Sequence, residues 1–399
     1  MLPEAGALAG LCGSAGSIFA KRKGGFGLHP QARLWGVEDF PPGAGGVLAE
    51  RPALAALAGA FGGPFRIGGA GSLQAGEGEF ETLTSGSSGQ PRHILRSVAS
   101  WQASFAVNAR LFGIGPGVGV AVLGRLSHSL ALYGAVEALS LGAALHLLDD
   151  LRPDRQRAVL AARRVAVLYA TPAQLRLMVE AGGEALALTR VLVGGSKLDP
   201  VLRAGLAAMA PRAVVQEFYG AAEASFISLS GPDCPAESVG RPYPGVEITV
   251  DQGEIWVRSP YLFRAYAGTD PGGARWREGW LSVGEMGRME DGFLYLSGRA
   301  GRMVTVADHN VFPEEIEAFL LGLPDVARAA VLPRPDPLRG VHLVAVIMGA
   351  ASDAAVLAAC RGALGPLKSP KAVYRVAEWP MLGSGKTDLV ALERALGWR

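Results

Sequence analysis

Cysteine is scarce in this 399-residue chain. Its three cysteines, Cys12, Cys234 and Cys360, lie far apart and fit no CxxC or His/Cys ligand spacing. Neither a disulfide framework nor a structural zinc site is expected, and a reducing compartment fits. A surplus of one charge is also missing. There are 38 Lys and Arg against 36 Asp and Glu, with no acidic or basic tail, which argues against nucleic acid or a charged membrane surface as the main partner. No apolar run reaches the ~18 residues that a membrane span needs; Arg125, His128 and Glu137 interrupt the best candidate. The N-terminal MLPEAGALAGLCGSAG carries Glu4, has no Lys or Arg ahead of its apolar stretch, and sets Leu11 before Cys12. It is read as cytosolic structure rather than an export signal, so a cytoplasmic protein is expected. No repeat of 20–50 residues is found.

Glycine is plentiful: 55 of 399 residues, or 14 %, about twice the usual share. Such an excess belongs in tight turns and where backbone must approach a ligand. Apolar residues make up 49 %, enough for a large core.

From residue 118 short Val/Leu/Ala runs alternate with helical patterns. VGVAVLG (118–124), AALHLLD (143–149), RVAVLYA (164–170), TRVLVGG (189–195) and AVVQEFYG (213–220) are predicted strands. Helices are predicted over 129–141, 153–163, from Thr171-Pro172 to Gly182-Gly183, and from Asp199 to about Ala210. This is the pattern of a parallel sheet covered on both faces, whose ligands bind at the carboxyl ends of strands. Residues 245–300 alternate and turn like a small antiparallel unit. Beyond them, Pro313-Glu314-Glu315-Ile316-Glu317 opens a helix, followed by two strands, a helix near 353–364 and a strand near 372–376. The fold class is therefore α/β. A large domain, residues 1–297, has a mostly parallel, doubly wound sheet plus the antiparallel unit. A small, mobile α+β domain, residues 298–399, follows.

Three segments could carry chemistry. Thr84-Ser85-Gly86-Ser87-Ser88-Gly89-Gln90-Pro91-Arg92 could wrap a polyphosphate with amides, hydroxyls and one cation; by itself it equally fits a Ser/Gly linker. Tyr219-Gly220-Ala221-Ala222-Glu223, at a strand end, offers a carboxylate for Mg²⁺ or forms an ordinary turn. Gly383-Ser384-Gly385-Lys386-Thr387 invites a Walker A reading, which fails because position 380 is Pro380 and only 13 residues follow Lys386.

In order and company these segments resemble the adenylate-forming superfamily of acyl- and aryl-CoA ligases, adenylation domains and luciferases. TSGSSGQPR is similar to its phosphate loop, and RLSHSLALYG, with His128, to the segment shaping its acyl pocket. GGS (194–196) resembles the pocket-floor turn, and YGAAE the Tyr-Gly-x-Thr-Glu element. GEIWVRSPYLFRAY (253–266), WLSVGEMGRM (280–289), the hinge stretch 291–317 and GSGKTD complete the series. The resemblance implies that a carboxylate attacks Mg-ATP to give an acyl-adenylate, which a thiol then intercepts. It implies that Lys386 bridges carboxylate and α-phosphate, Glu223 holds Mg²⁺, Glu285 and Arg299 bind ribose hydroxyls, and adenine lies against Tyr219 above Gly195 and Ser196. The small domain would swing about Gly301, and Asp308 would face the thiol channel.

Several residues depart from the family pattern. Arg92 stands for lysine, Ala222 for threonine, Glu285 for aspartate, Gly301 for a hinge Asp or Lys, and Asp308 for glycine. The phosphate loop begins as early as residue 84, so a compact member is expected. RLSHSLALYG offers no aspartate for an α-amino group, while Leu126, Leu130, Tyr133 and the Gly194-Gly195 floor suit a flat apolar acid. An aromatic or arylacrylic acid is expected, with medium-chain acyl second, and CoA or carrier-protein phosphopantetheine as acceptor. Two alternatives stand beside this: a catalytically degenerate nucleotide-binding relic, and an adenylating enzyme with a non-thiol acceptor. His128 fits two roles, pocket residue or satisfied core histidine.

Overall fold

The structure is a computed structural model that describes residues 25–37, 42–84, 92–268, 273–306, 309–336, 340–382 and 386–398. Its central sheet runs in the order Arg33–Leu34, Ala144–Leu147, Gly119–Val122, Val167–Ala170, Arg190–Val193, Val214–Ala221, Ser225–Leu229, Arg241–Pro242. The first six strands pair in parallel and the last two join antiparallel. Successive residues feed opposite faces. Val167 and Tyr169 join a core with Val120, Val122 and Leu192, whereas Leu168 and Ala170 join a second core with Ala121, Val191 and Val193. Burial on both sides is why these strands read as continuous apolar runs.

The covering helices start where their caps dictate. Thr171 and Gln174 form a reciprocal capping box ahead of Pro172–Glu180, with Pro172 in the first turn. Asp199 accepts the Leu202 N–H at 2.9 Å ahead of Pro200–Met209. One predicted strand begins late, at Val167 rather than residue 164. Arg164 takes a left-handed φ of 49° and donates its N–H to Ala161 O, so it still belongs to the turn after the preceding helix.

A second sheet, absent from the sequence-based expectation, orders Ala265–Tyr266, His93–Ser97, Glu79–Leu83, Phe65–Ile67 and Gly46–Leu48. Its strands are short, and Arg66, Glu81 and Arg96 inside them are fully buried, which breaks any apolar alternation. Helix Val98–Phe112 follows, capped by Ser97 and ended by Gly113 at φ 69°. The antiparallel unit comprises Arg275–Arg277, Trp280–Ser282, Glu254–Arg258, Glu285–Glu290 and Phe293–Arg299 along its path, with Glu247–Asp251 paired to Glu254–Arg258.

Past Arg299 a 3₁₀ turn, Ala300–Arg302, leads into separate apolar clusters around Val306, Ile316, Val331 and Ile347 and around Leu332, Val346 and Leu392. They pack helices Pro313–Leu321, Asp353–Lys368 and Leu389–Ala395 against strands Val326–Asp336, Gly340–Gly349 and Val373–Arg375. The helix from Asp353 breaks at Gly365 (φ 77°, ψ 171°), just before Pro366. Among the described residues no helix is long and apolar enough to cross a membrane. Cys234 and Cys360 are both free.

Candidate active site

Tyr219 sits at the carboxyl end of Val214–Ala221, where the ladder to Ser225–Leu229 bulges between Tyr219 and Gly220. Gly220 is forced by space: a Cβ there would lie 2.2 Å from Ser225 O. The Tyr219 hydroxyl is buried and has no hydrogen-bond partner among the described residues. Burial, then the charge of Glu285, pushes the phenol well above its usual pKa, so it remains a donor.

Glu285 and Arg299 are directly opposite one another in the ladder of Glu285–Glu290 with Phe293–Arg299. Arg299 Nε donates to Glu285 Oε1 at 2.9 Å. Burial opposes the guanidinium charge, yet Glu285, with Tyr219 and Glu223, more than offsets it and the Arg299 pKa is raised. Glu285 itself is buried.

Lys386 reaches the same place from the far end of the chain. Leu382 N–H donates to Lys386 O at 2.8 Å, and a Met381–Thr387 bridge closes the turn. The Trp379 indole donates to Thr387 Oγ1 at 3.0 Å, and Asp388 caps the helix Leu389–Ala395 that follows. Lys386 stays accessible to solvent, but the protein around it lowers its pKa, chiefly through desolvation and next through Arg299, with Glu285 and Glu223 pulling the other way. One lysine is thus within electrostatic reach of Glu223, Glu285 and Arg299 together.

Glu223 is fixed at both ends. Its carbonyl accepts the Phe263 N–H at 2.7 Å, and Oε1 accepts the Tyr266 hydroxyl at 2.8 Å. Ala221 pairs with Ser225, and the carbonyl of Ala222 accepts from Arg96. Arg96 is fully buried; its guanidinium also donates to Ser225 Oγ at 2.7 Å and to Tyr261 O. Burial pulls its pKa down to about 10, with Glu223 opposing. Nothing in the sequence singled out Arg96 or Tyr266. The available signal was a charge inside the strand HILRS, since a buried guanidinium calls for hydrogen-bond partners; Arg96 Nε is left without one among the described residues.

The glycine-rich loop springs from the hairpin of Glu79–Leu83 and His93–Ser97. Thr84 and Arg92 close its base: Thr84 N–H donates to Arg92 O at 2.9 Å, and Arg92 N–H to Thr84 Oγ1 at 3.0 Å. Ser85, Gly86, Ser87, Ser88 and Gly89 lie outside the described residues, as does Asp308. His128 forms a parallel bridge with Leu83, beside that base, at the N-cap of helix Ser129–Ser140. Burial lowers its pKa, with Glu50 opposing. Gly195, at φ 102°, and Ser196 are exposed after strand Arg190–Val193; a Cβ on the preceding Gly194 would meet the Phe218 ring at 2.3 Å.

Two residues expected to line the acid pocket are instead core. Leu126 and Tyr133 are buried in the main cluster, and the Tyr133 hydroxyl is taken by Ser104 Oγ at 2.7 Å and Asn108 Nδ2 at 3.0 Å. Asn108 Nδ2 also donates to Glu137 Oε1 at 2.8 Å, and the Tyr169 hydroxyl donates to Glu137 Oε2 at 2.5 Å.

At Gly301 an added Cβ would meet nothing within 4 Å, while its neighbour Arg302 is clamped. Arg302 donates to Glu317 Oε1 and Oε2 at 2.8 and 3.0 Å and to Val331 O at 3.1 Å.

Comparison with known proteins gives the family. Residues 81–267 match the AMP-binding enzyme family and residues 315–386 the AMP-binding enzyme C-terminal domain. An uncharacterized acyl-CoA ligase of Bacillus subtilis, YhfT, is 34 % identical over 332 residues, covering 79 % of this chain and 67 % of that protein. A 2-succinylbenzoate-CoA ligase of Lactococcus lactis is 33 % identical over 184 residues, 43 % of this chain and 40 % of that protein. The amide bond synthetase McbA of Marinactinospora thermotolerans superposes with a TM-score of 0.70 at 28 % identity, covering 80 % of this chain and 69 % of that one. This chain thus spans from two fifths to about two thirds of the length of these relatives. With both family matches in order along the chain, it belongs to the AMP-binding enzymes, the adenylate-forming superfamily of ATP-dependent, AMP-forming ligases.

Proposed function

We propose that this chain joins an aromatic or arylacrylic acid to a thiol, CoA or a carrier-protein phosphopantetheine, in two half-reactions. A carboxylate oxygen attacks the α-phosphorus of ATP and displaces pyrophosphate; the thiol sulfur then attacks the acyl carbon, releasing AMP and a proton. The observation that carries the reading is the Glu285–Arg299 pair, opposite in one ladder and bonded at 2.9 Å, whose charges together with that of Glu223 act on Lys386. The first step brings an anion to a polyanion, so positioning and cationic shielding supply most of the catalysis. Lys386 would stand between carboxylate and α-phosphate, with Thr84 and Arg92 at the root of the phosphate loop. Glu285 and Arg299 would take the ribose, and Tyr219 the adenine above Gly195 and Ser196.

Among the described residues no group of three or more His, Cys, Asp or Glu is arranged to hold a metal. A lone carboxylate still fits Mg²⁺, which keeps several waters and is completed by substrate phosphates, and Glu223 is the residue that would hold it. When bound, the ion shields phosphate charge. Residues 298–399 would turn as a unit about Gly301, with Arg302 riding on the small domain, to bring Asp308 toward the pantetheine arm. A relative named for 2-succinylbenzoate, an aryl acid, supports the aromatic choice.

The likeness to an amide bond synthetase supports a second reading, in which an amine takes the acyl group. Pyrophosphate release with ATP and a panel of aryl, arylacrylic and medium-chain acids separates the possibilities. Release with an aryl acid, followed by thioester on adding CoA or a phosphopantetheinylated carrier, is the expected result. Release followed only by amide would support the second reading. Silence with every acid would overturn both.

A further inference from the structure

We infer that Tyr266 is a positioning residue for the first half-reaction, orienting the Glu223 carboxylate and linking it to the phosphate-loop hairpin. The inference rests on the reading of Glu223 as the Mg²⁺ ligand. A glutamate has three side-chain torsions, and at the edge of a cleft it samples several rotamers unless something holds its end. Here the Tyr266 hydroxyl donates to Oε1 at 2.8 Å, while the Phe263 N–H holds the backbone of the same residue at 2.7 Å. The rings of Phe263 and Tyr266 meet edge to face, with centroids 5.0 Å apart. Two points of one short segment therefore grip Glu223 by main chain and side chain together.

The same segment is part of the phosphate-loop hairpin. Tyr266 pairs with Ile94, and the Ala267 N–H donates to His93 O at 2.9 Å. The guanidinium of Arg92, the cation of the loop, is 5.9 Å from the Tyr266 ring centre. Any shift of the loop's second strand thus carries Tyr266, and through it the carboxylate.

The chemistry of the donor matters as much as its place. A cation bonded to Glu223 would cancel the charge that a divalent ion needs. A phenol orients the carboxylate and leaves its charge intact. Arg96, the nearest buried cation, directs its bonds to the carbonyls of Ala222 and Tyr261 and to Ser225, positions around Glu223.

Tyr266→Phe keeps the ring and removes the hydroxyl, both the donor to Glu223 and the partner of the Gly273 backbone. In this variant the Mg²⁺ concentration for half-maximal pyrophosphate release should rise about tenfold, the worth of one hydrogen bond to a charged group. The difference should narrow at saturating Mg²⁺. Calorimetric titration supplies a readout independent of turnover: the gain in ATP affinity on adding Mg²⁺ should shrink by a similar factor, while Mg²⁺-free ATP affinity and melting temperature hold. The double variant with Glu223→Gln should be no worse than Glu223→Gln alone. A wild-type Mg²⁺ response in Tyr266→Phe, with Glu223→Gln impaired, would overturn the inference and leave Glu223 in place. A wild-type response in Glu223→Gln would remove the reading on which it rests.

Discussion

Two sets of charges in the molecule are treated in opposite ways. Arg66 is fully buried and fully engaged: it pairs with Glu81 at 2.6 Å and donates to the carbonyls of Gly68, Ala70, Gly71 and Ser72. The other Glu81 oxygen accepts the Gln74 N–H at 2.5 Å, and His93 Nδ1 lies 3.5 Å from the first. Arg299 and Lys386, by contrast, reach solvent, and the Tyr219 hydroxyl beside them is unpartnered among the described residues. The Arg66–Glu81 cluster closes its hydrogen bonds before any substrate arrives, and the site around Tyr219 leaves capacity open for a ligand. A closed set can be judged by stability and an open one by catalysis.

Breaking the closed set should have the largest effect. Arg66→Leu strands a fully buried carboxylate and four carbonyls, so the variant should lose about 3–5 kcal/mol of folding stability, read by urea denaturation. A loss within the range of ordinary surface substitutions would show that the pair is dispensable.

The open set should respond in the other currency. Lys386→Ala should slow adenylate formation by a barrier increase of about 3–4 kcal/mol while melting as the wild type does, and should spare thioester formation from supplied acyl-adenylate. An unchanged pyrophosphate burst would exclude Lys386 from the step.

Glu137 tests a case between the two, closed but titratable. It is fully buried among Asn108, Tyr133 and Tyr169, and burial raises its pKa from the usual carboxylate value to about 7. The folded state therefore binds this proton more tightly than the unfolded chain. The resulting stabilisation is complete below about pH 4.5 and is lost as pH rises through about 7, on the order of 3 kcal/mol in all. Glu137→Gln should flatten that part of the stability profile. Parallel profiles for the two proteins would assign the slope to another group.

The alternation from residue 118 onward was legible because each strand buries both faces and each helix carries its own start signal, as at Thr171-Pro172 and Asp199. The candidate site residues were named through motifs whose order resembles a known family. The N-terminal sheet was not, because its strands are short and hold paired charges whose partners, such as Glu81 for Arg66, are distant in sequence. Tyr133 misled for a related reason: an aromatic on an apolar helix reads the same whether its hydroxyl faces a ligand or a buried asparagine.

By itself the sequence determined the fold class, the parallel core and the residue types gathered at its strand ends. These follow from local periodicity, caps and short motifs, all properties of neighbouring residues. Only the tertiary structure decided that Arg96 and Tyr266 frame Glu223, that Glu285 faces Arg299 across a ladder, and that Lys386 comes within reach of both. Those pairings join segments tens to hundreds of residues apart, and they arise from strand register and the packing of the small domain, which no local pattern encodes.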